Sequence, residues 1–227
     1  LKSEGKVSKN PLKESFNKKG NFKMVLLALF GATMGQGVIW YTGQFYAQSF
    51  IENTCKVDFN DSRYILLWGI AFATPFFVVF GAWSDKVGRK WIMLTGMLLG
   101  IIFYRPIYQI FLDKTDVTTW NTSSIVKEEP PVITKISLHA EGDTLISSST
   151  KISFANGASY HKVLVDTVYA DANKAVGHAK EVYRDKQLDT NTFWLFVGLV
   201  FFQILLVTMV YGPIAAFLVE LFPTKIR

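Results

Sequence analysis

Apolar residues in this chain fall into four runs, each longer than the roughly 18 to 20 residues needed to cross a bilayer, with strongly polar segments between them. The pattern predicts helices over Met24–Phe50, Tyr64–Trp83, Trp91–Phe111 and Phe193–Leu221. Pro75 interrupts the second, where it frees a carbonyl four residues back and permits a kink. Gly212-Pro213 predicts a flexible joint in the fourth. The third contains Arg105-Pro106. An arginine inside a span is a functional candidate by default, but this one sits near the far end, where its stem reaches the interface.

Between the third and fourth runs the pattern changes. Residues 113–190 are polar, and Asp113–Lys127 reads as irregular. Val132–Leu138, Thr144–Phe154 and Lys162–Tyr169 are rich in Val, Ile, Thr and Ser and are separated by Gly142 and Asn156-Gly157, as strands are. Asp171–Lys186 carries Ala, Lys, Val, Glu and Tyr at helical spacing, which predicts a helix.

Composition fits a membrane protein without deciding it: half of the 227 residues are hydrophobic, 19 are Phe, and the net charge is +6. A basic excess invites a nucleic-acid reading. The segment Asp113–Thr190, however, holds 11 acidic and 9 basic residues, so the positive charge belongs to the membrane part, and no nucleic-acid partner is expected. The single cysteine, Cys55, excludes an internal disulfide. Residues 1–23 carry seven lysines among Ser, Asn and Gly and read as a cytoplasmic linker. Lys86, Arg89 and Lys90, with Lys225 and Arg227, then also fall on the cytoplasmic side, leaving the less basic loops outside. The expected order is a linker (1–23), three spanning helices (24–112), an extracytoplasmic insertion (113–190) and a fourth helix (191–227). The fold class is an all-α transmembrane helix bundle with a polar extracytoplasmic α+β insertion.

At about 100° per residue, Thr33, Gln36, Trp40 and Gln44 fall within an arc of about 80°, and Gly31 and Gly35 lie nearly opposite. The glycines suit close helix packing. The polar stripe suits a watery cavity, or hydrogen bonds between helices, because unsatisfied amides in hydrocarbon are costly. In the fourth helix, Gln203 and Tyr211 project within about 80° of each other. The three histidines, at 139, 161 and 178, have no metal-ligand spacing, so no metal is expected. Asn60-Asp-Ser62 and Asn121-Thr-Ser123 match the glycosylation pattern of secretory-pathway proteins.

The charged stretch Gly81-Ala-Trp-Ser-Asp85-Lys86-Val-Gly88-Arg89-Lys90 lies between the second and third runs, and its glycines suit a tight turn. It resembles the signature loop of the major facilitator superfamily, G-x-x-x-D-K-x-G-R-K. The ending Glu220-Leu-Phe-Pro-Thr-Lys-Ile-Arg227 resembles the E-x6-R motif closing the fourth helix of a facilitator half. The two motifs in this order make the chain similar to helices seven to ten of a twelve-helix transporter, part of a major facilitator fold and so a piece of a longer protein. The stretch Gly35–Tyr46, with Tyr211-Gly-Pro213, further resembles the metabolite:proton symporter branch. Two departures are the long insertion and Trp83, where leucine is more usual.

The resemblance implies alternating access around a site at mid-membrane depth. Thr33, Gln36, Trp40, Gln44, Gln203 and Tyr211 would line the substrate pathway, with Gly81, Asp85, Lys86, Gly88, Arg89, Lys90, Glu220 and Arg227 as gating residues. Its partners would be a small organic acid or zwitterion, protons, the bilayer of the cell (inner) membrane, and the missing half of the same transporter. No acidic residue lies mid-span, so the coupling acid is expected in that half. No nucleophile with a base, nucleotide loop or metal cluster is recognisable, so neither enzymatic activity nor a cofactor is expected. Two alternatives stand: a proton-independent facilitator such as a sugar porter, and a membrane-anchored sensor or interaction protein acting through residues 113–190.

Overall fold

The computed structural model describes Phe16 and residues 19–120, 125–138, 144–168 and 177–221. Four helical segments are long and apolar enough to cross a membrane: Lys19–Thr54, Phe59–Val87, Arg89–Lys114 and Thr190–Leu221. The first is α1. The second divides at Thr74 into α2 (Phe59–Ala73) and α3 (Pro75–Val87), because Pro75 supplies no amide proton and opens the next helix at its first turn. The third and fourth long segments are α4 (Arg89–Lys114) and α6 (Thr190–Leu221), and α5 (Val117–Trp120) is a single turn between them. Gly212-Pro213 lies inside α6, which continues through it to Leu221. Helix also begins earlier than the expected linker boundary, at Lys19.

The chain divides into two compact units. One comprises residues through Ala47, Leu66–Ile107 and residues from Gly198; the other comprises Gln48–Ile65 and Tyr108–Val197.

In the first unit, α1 presents Ala28, Ala32, Ile39, Gly43 and Ala47 as its buried positions. Small residues suit this role because lipid tails are as apolar as leucine, so helices in a bilayer associate through close packing rather than through hydrophobic gain. A Cβ at Gly43 would stand 2.7 Å from the Tyr104 hydroxyl and 3.3 Å from the Gln203 carbonyl. Ala32, Ile39, Met93, Val207, Val210 and Ile214 form the adjoining core. Gly31 is a correction: it is exposed with nothing within 4 Å, and only Gly35 of the expected pair meets another helix, at Met97. Leu27–Thr33 is π-helical, so the phase between Gly31 and Gly35 departs from the constant 100° assumed for a pure α-helix.

The second unit contains an antiparallel sheet of β1 (Ile125–Glu128), β2 (Val132–Leu138), β3 (Thr144–Phe154), β4 (Ser159–Val168) and β5 (Gly177–Gln187). Spatially the order is β1-β3-β4-β5, with β2 also on β3. Two expectations are overturned here. Gly177–Gln187, expected inside a helix, is a strand, because pairing along β4 outweighs the weak preferences of Ala, Lys and Glu. Asp113–Lys127 is not wholly irregular, since it includes the end of α4, all of α5 and the start of β1. The β3–β4 hairpin turns at Asn156-Gly157, with Gly157 at φ 87°. Val117, Ile152, Phe154, Ala158 and Tyr160 form the core beneath the sheet, with Trp120 and Tyr183 packed on it.

A bulge places the extra residue Asp185 between the pairs Ser159↔Gln187 and His161↔Arg184. Asp185 has φ 50° and Lys56 has φ 60°, left-handed conformations that cost a non-glycine residue about 1–2 kcal/mol. Between these irregularities Val57 bridges Lys186 in parallel, and Lys186 is buried with Nζ donating to the Thr115 carbonyl at 2.6 Å.

Candidate functional site

The stretch Gly81–Lys90 is mostly helix. Gly81 lies within α3 rather than in the turn, and Gly88 alone makes the turn, at φ 103°, with its amide donating to the Ser84 carbonyl at 2.9 Å. Only glycine adopts this conformation readily. The close helix contact here is permitted by Gly212: a Cβ on it would stand 3.1 Å from the Phe77 carbonyl and 3.4 Å from the Gly81 backbone nitrogen, whereas a Cβ on Gly81 would meet open space. Sequence reasoning missed this pairing because Gly81 and Gly212 are far apart along the chain.

The turn at Gly88 leaves Asp85 and Arg89, at i and i+4, within reach of each other. Arg89 donates from Nε at 3.1 Å and from Nη2 at 2.7 Å to Asp85 Oδ1, and its Nη1 reaches Glu220 Oε1 at 2.7 Å. The planar guanidinium thus holds two carboxylates from different elements, a geometry that one ammonium would not fix as well. Asp85 and Glu220 remain more than half exposed, so the cluster is a surface contact that salt weakens. Lys86 and Lys90 are exposed, and Lys90 Nζ lies 6.0 Å from the Trp91 ring centroid. Arg227 lies outside the described residues.

The polar arc is brought together in part. Trp40 Nε1 donates to Gln44 Oε1 at 3.0 Å. The Trp40 ring lies 6.3 Å from that of Tyr211, which packs edge-on against Phe77 at 5.9 Å. These four residues join α1, α3 and α6 in one polar aromatic cluster, with Trp40 and Tyr211 exposed and Gln44 half-buried. Gln36 is half-buried one turn earlier, whereas Thr33 turns back on its own helix, Oγ1 donating to the Ala28 carbonyl at 3.0 Å. Gln203 is fully buried, and neither atom of its amide has a protein hydrogen-bond partner. Its backbone carbonyl lies 3.3 Å from where a Cβ on Gly43 would stand. The Tyr104 hydroxyl, which nothing in its apolar run singles out, donates to the Ile39 carbonyl at 3.1 Å.

Among the histidines, His161 Nδ1 lies 3.2 Å from Ser149 Oγ, His139 is outside the described residues, and His178 is on β5. Among the described residues no group of His, Cys, Asp and Glu is placed to hold a metal ion. Ser62 of the first glycosylation pattern is buried in the first turn of α2, donating to the Phe59 carbonyl, and the second pattern lies outside the described residues.

Compared with known proteins, the chain matches no family model, no curated protein and no solved structure.

Proposed function

We propose that the chain is part of a secondary active transporter of the major facilitator type, taking up a small organic acid or zwitterionic metabolite with protons by alternating access. The observation that carries this reading is the ion cluster of Asp85, Arg89 and Glu220. It unites the two stretches whose sequence resembles facilitator motifs, and an exposed charge cluster joining helix ends is strong enough to bias one arrangement and weak enough to release. Trp40, Gln44 and Tyr211, with Gln36 beside them, form the wall of the solute pathway. Amides and rings of this kind orient a polar solute without holding it by full charge. Thr33 bonds back to its own helix, and Gln203 is buried behind this wall with its amide unpaired by protein. The proton-binding acid belongs to a further part of the protein, and the cluster faces the cytoplasm.

Reconstituted full-length protein tests this. Uptake of such a compound should be faster under an inward proton gradient, Gln36→Leu should reduce it several-fold with membrane insertion intact, and Glu220→Gln should shift the balance of inward and outward states. Gradient-independent uptake would favour a facilitator of the sugar-porter kind, and normal uptake by the Gln36→Leu variant would remove the polar arc from the pathway.

A further inference from the structure

Three irregular pieces of backbone converge in the second unit. The π-helical turn Phe50–Thr54 closes with the Cys55 amide donating to the Phe50 carbonyl and the Val57 amide to that of Ile51. Lys56 follows at positive φ, and across the Val57–Lys186 bridge stands Asp185, the only other non-glycine residue at positive φ among those described. The bridge fixes both, since the Lys186 amide donates to the Lys56 carbonyl and the Asp58 amide to the Lys186 carbonyl, each at 2.9 Å. Strained backbone held this firmly is a pointer to function. Between the three pieces lies a cleft of about 320 Å³, near the lower end of the range for ligand pockets.

Its lining is mostly exposed, with Glu52 half-buried and Val57 buried at its base. Glu52 and Asp185 bring negative charge, Lys56 and Arg184 positive charge, Phe59 an aromatic wall and Asn53 a neutral amide. Charges of opposite sign sharing a small cleft would be expected to pair with one another. Among the described residues none of these four makes an ion pair. Lys56 and Asp185 sit at left-handed backbone positions and Arg184 is held in register with His161, while Arg184 and Asp185 also border a second cleft along the sheet.

We propose that this cleft binds a small zwitterion of the amino-acid class, its carboxylate held by Lys56 and Arg184 and its ammonium by Glu52 and Asp185. Two cations suit a carboxylate through charge-assisted hydrogen bonds, and two carboxylates suit an ammonium that offers three donors. The binding does not depend on the transport reading, because no residue of the Trp40 and Tyr211 cluster takes part.

The experiment is equilibrium binding to the full-length protein in lipid nanodiscs, with L-alanine, propionate and propylamine as probes. L-alanine should saturate one site, and each single-charge analogue should bind about tenfold more weakly or worse, the loss of one charged contact. Arg184→Gln and Glu52→Gln should each weaken L-alanine by a similar factor. Lys56→Gly separates binding from folding: glycine suits the left-handed backbone, so thermal stability should hold or rise while affinity falls. The transport reading fails separately, on gradient-independent uptake, and this one on the binding of the cleft variants. Absence of saturable L-alanine binding, equal binding of propionate, or unaltered affinity in the Arg184→Gln and Glu52→Gln variants would overturn the proposal.

Discussion

At the scale of the residue, Lys186 is the most constrained charge in the second unit. Its ammonium caps the carbonyl of Thr115 just past the end of α4, where the helix dipole favours a cation, yet the side chain is buried. Loss of solvent pushes Lys186 below the ordinary lysine range, with Cys55 and Asp116 pulling it back up and Lys56 adding to the depression. Burial likewise pushes the Cys55 thiol up. The signs oppose. Just below the ordinary lysine range the folded protein has released the Lys186 proton that the unfolded chain still holds, so this group adds stability as pH rises. Above the ordinary cysteine range the folded protein keeps the Cys55 proton that the unfolded chain gives up, so that group removes stability. In a Cys55→Ala variant, hydrogen-exchange protection of β5 should therefore increase as pH rises toward the ordinary lysine range, and adding Lys186→Met should flatten the trend. The role of Lys186 was not legible in the sequence, because Thr115 lies 71 positions away and the surrounding Ala, Lys and Glu read as helix.

At the scale of the element, the existence of the long helices was legible and the facing of α1 was not. Hydrophobic runs report length directly, whereas facing depends on a phase that three π-helical stretches alter. The β3 limits were legible, because Gly142 and Asn156-Gly157 punctuate a run of β-branched residues and serines. The corrected facing makes a prediction. Gly43→Ala places a Cβ against the Tyr104 hydroxyl and a backbone carbonyl, and should lower stability by about 1–3 kcal/mol, the usual cost of overpacking. Gly31→Ala meets open space and should be neutral or stabilising by up to about 1 kcal/mol, since alanine is the better helix former. Thermal unfolding in detergent compares the two, and equal losses would restore Gly31 to a packing face.

At the scale of the whole molecule, sidedness is the expectation that chemistry tests most directly. Cys55 is the only cysteine and is 1% exposed, so it gives a silent background for labelling. With an impermeant reagent applied outside intact cells, Thr150→Cys should label and Val87→Cys should not. Val87 is 51% exposed, so its silence would report its side of the membrane rather than burial. The charge pattern and helix count were legible as a topology because both are properties of composition along the chain. The cluster joining Arg89 to Glu220 was legible only through the resemblance of two motifs, since nothing local in either stretch names the other.

The division into units also governs the order in which the protein is made. The second unit is assembled from Gln48–Ile65 and Tyr108–Val197, so its earliest part leaves the ribosome long before its last. The β3–β4 hairpin pairs residues close in sequence and forms soon after synthesis, as local contacts do. The clamp that completes the unit joins Val57 to Lys186 and Asp61 to the Leu188 amide, the latter across 127 positions. Until Leu188 has been translated, the loop after α1 has no strand to bridge and the Lys186 side chain has not yet capped Thr115. Maturation of this unit is therefore a late, long-range event that follows its own hairpin, and an interruption of synthesis before β5 would leave a formed hairpin on an unfinished unit.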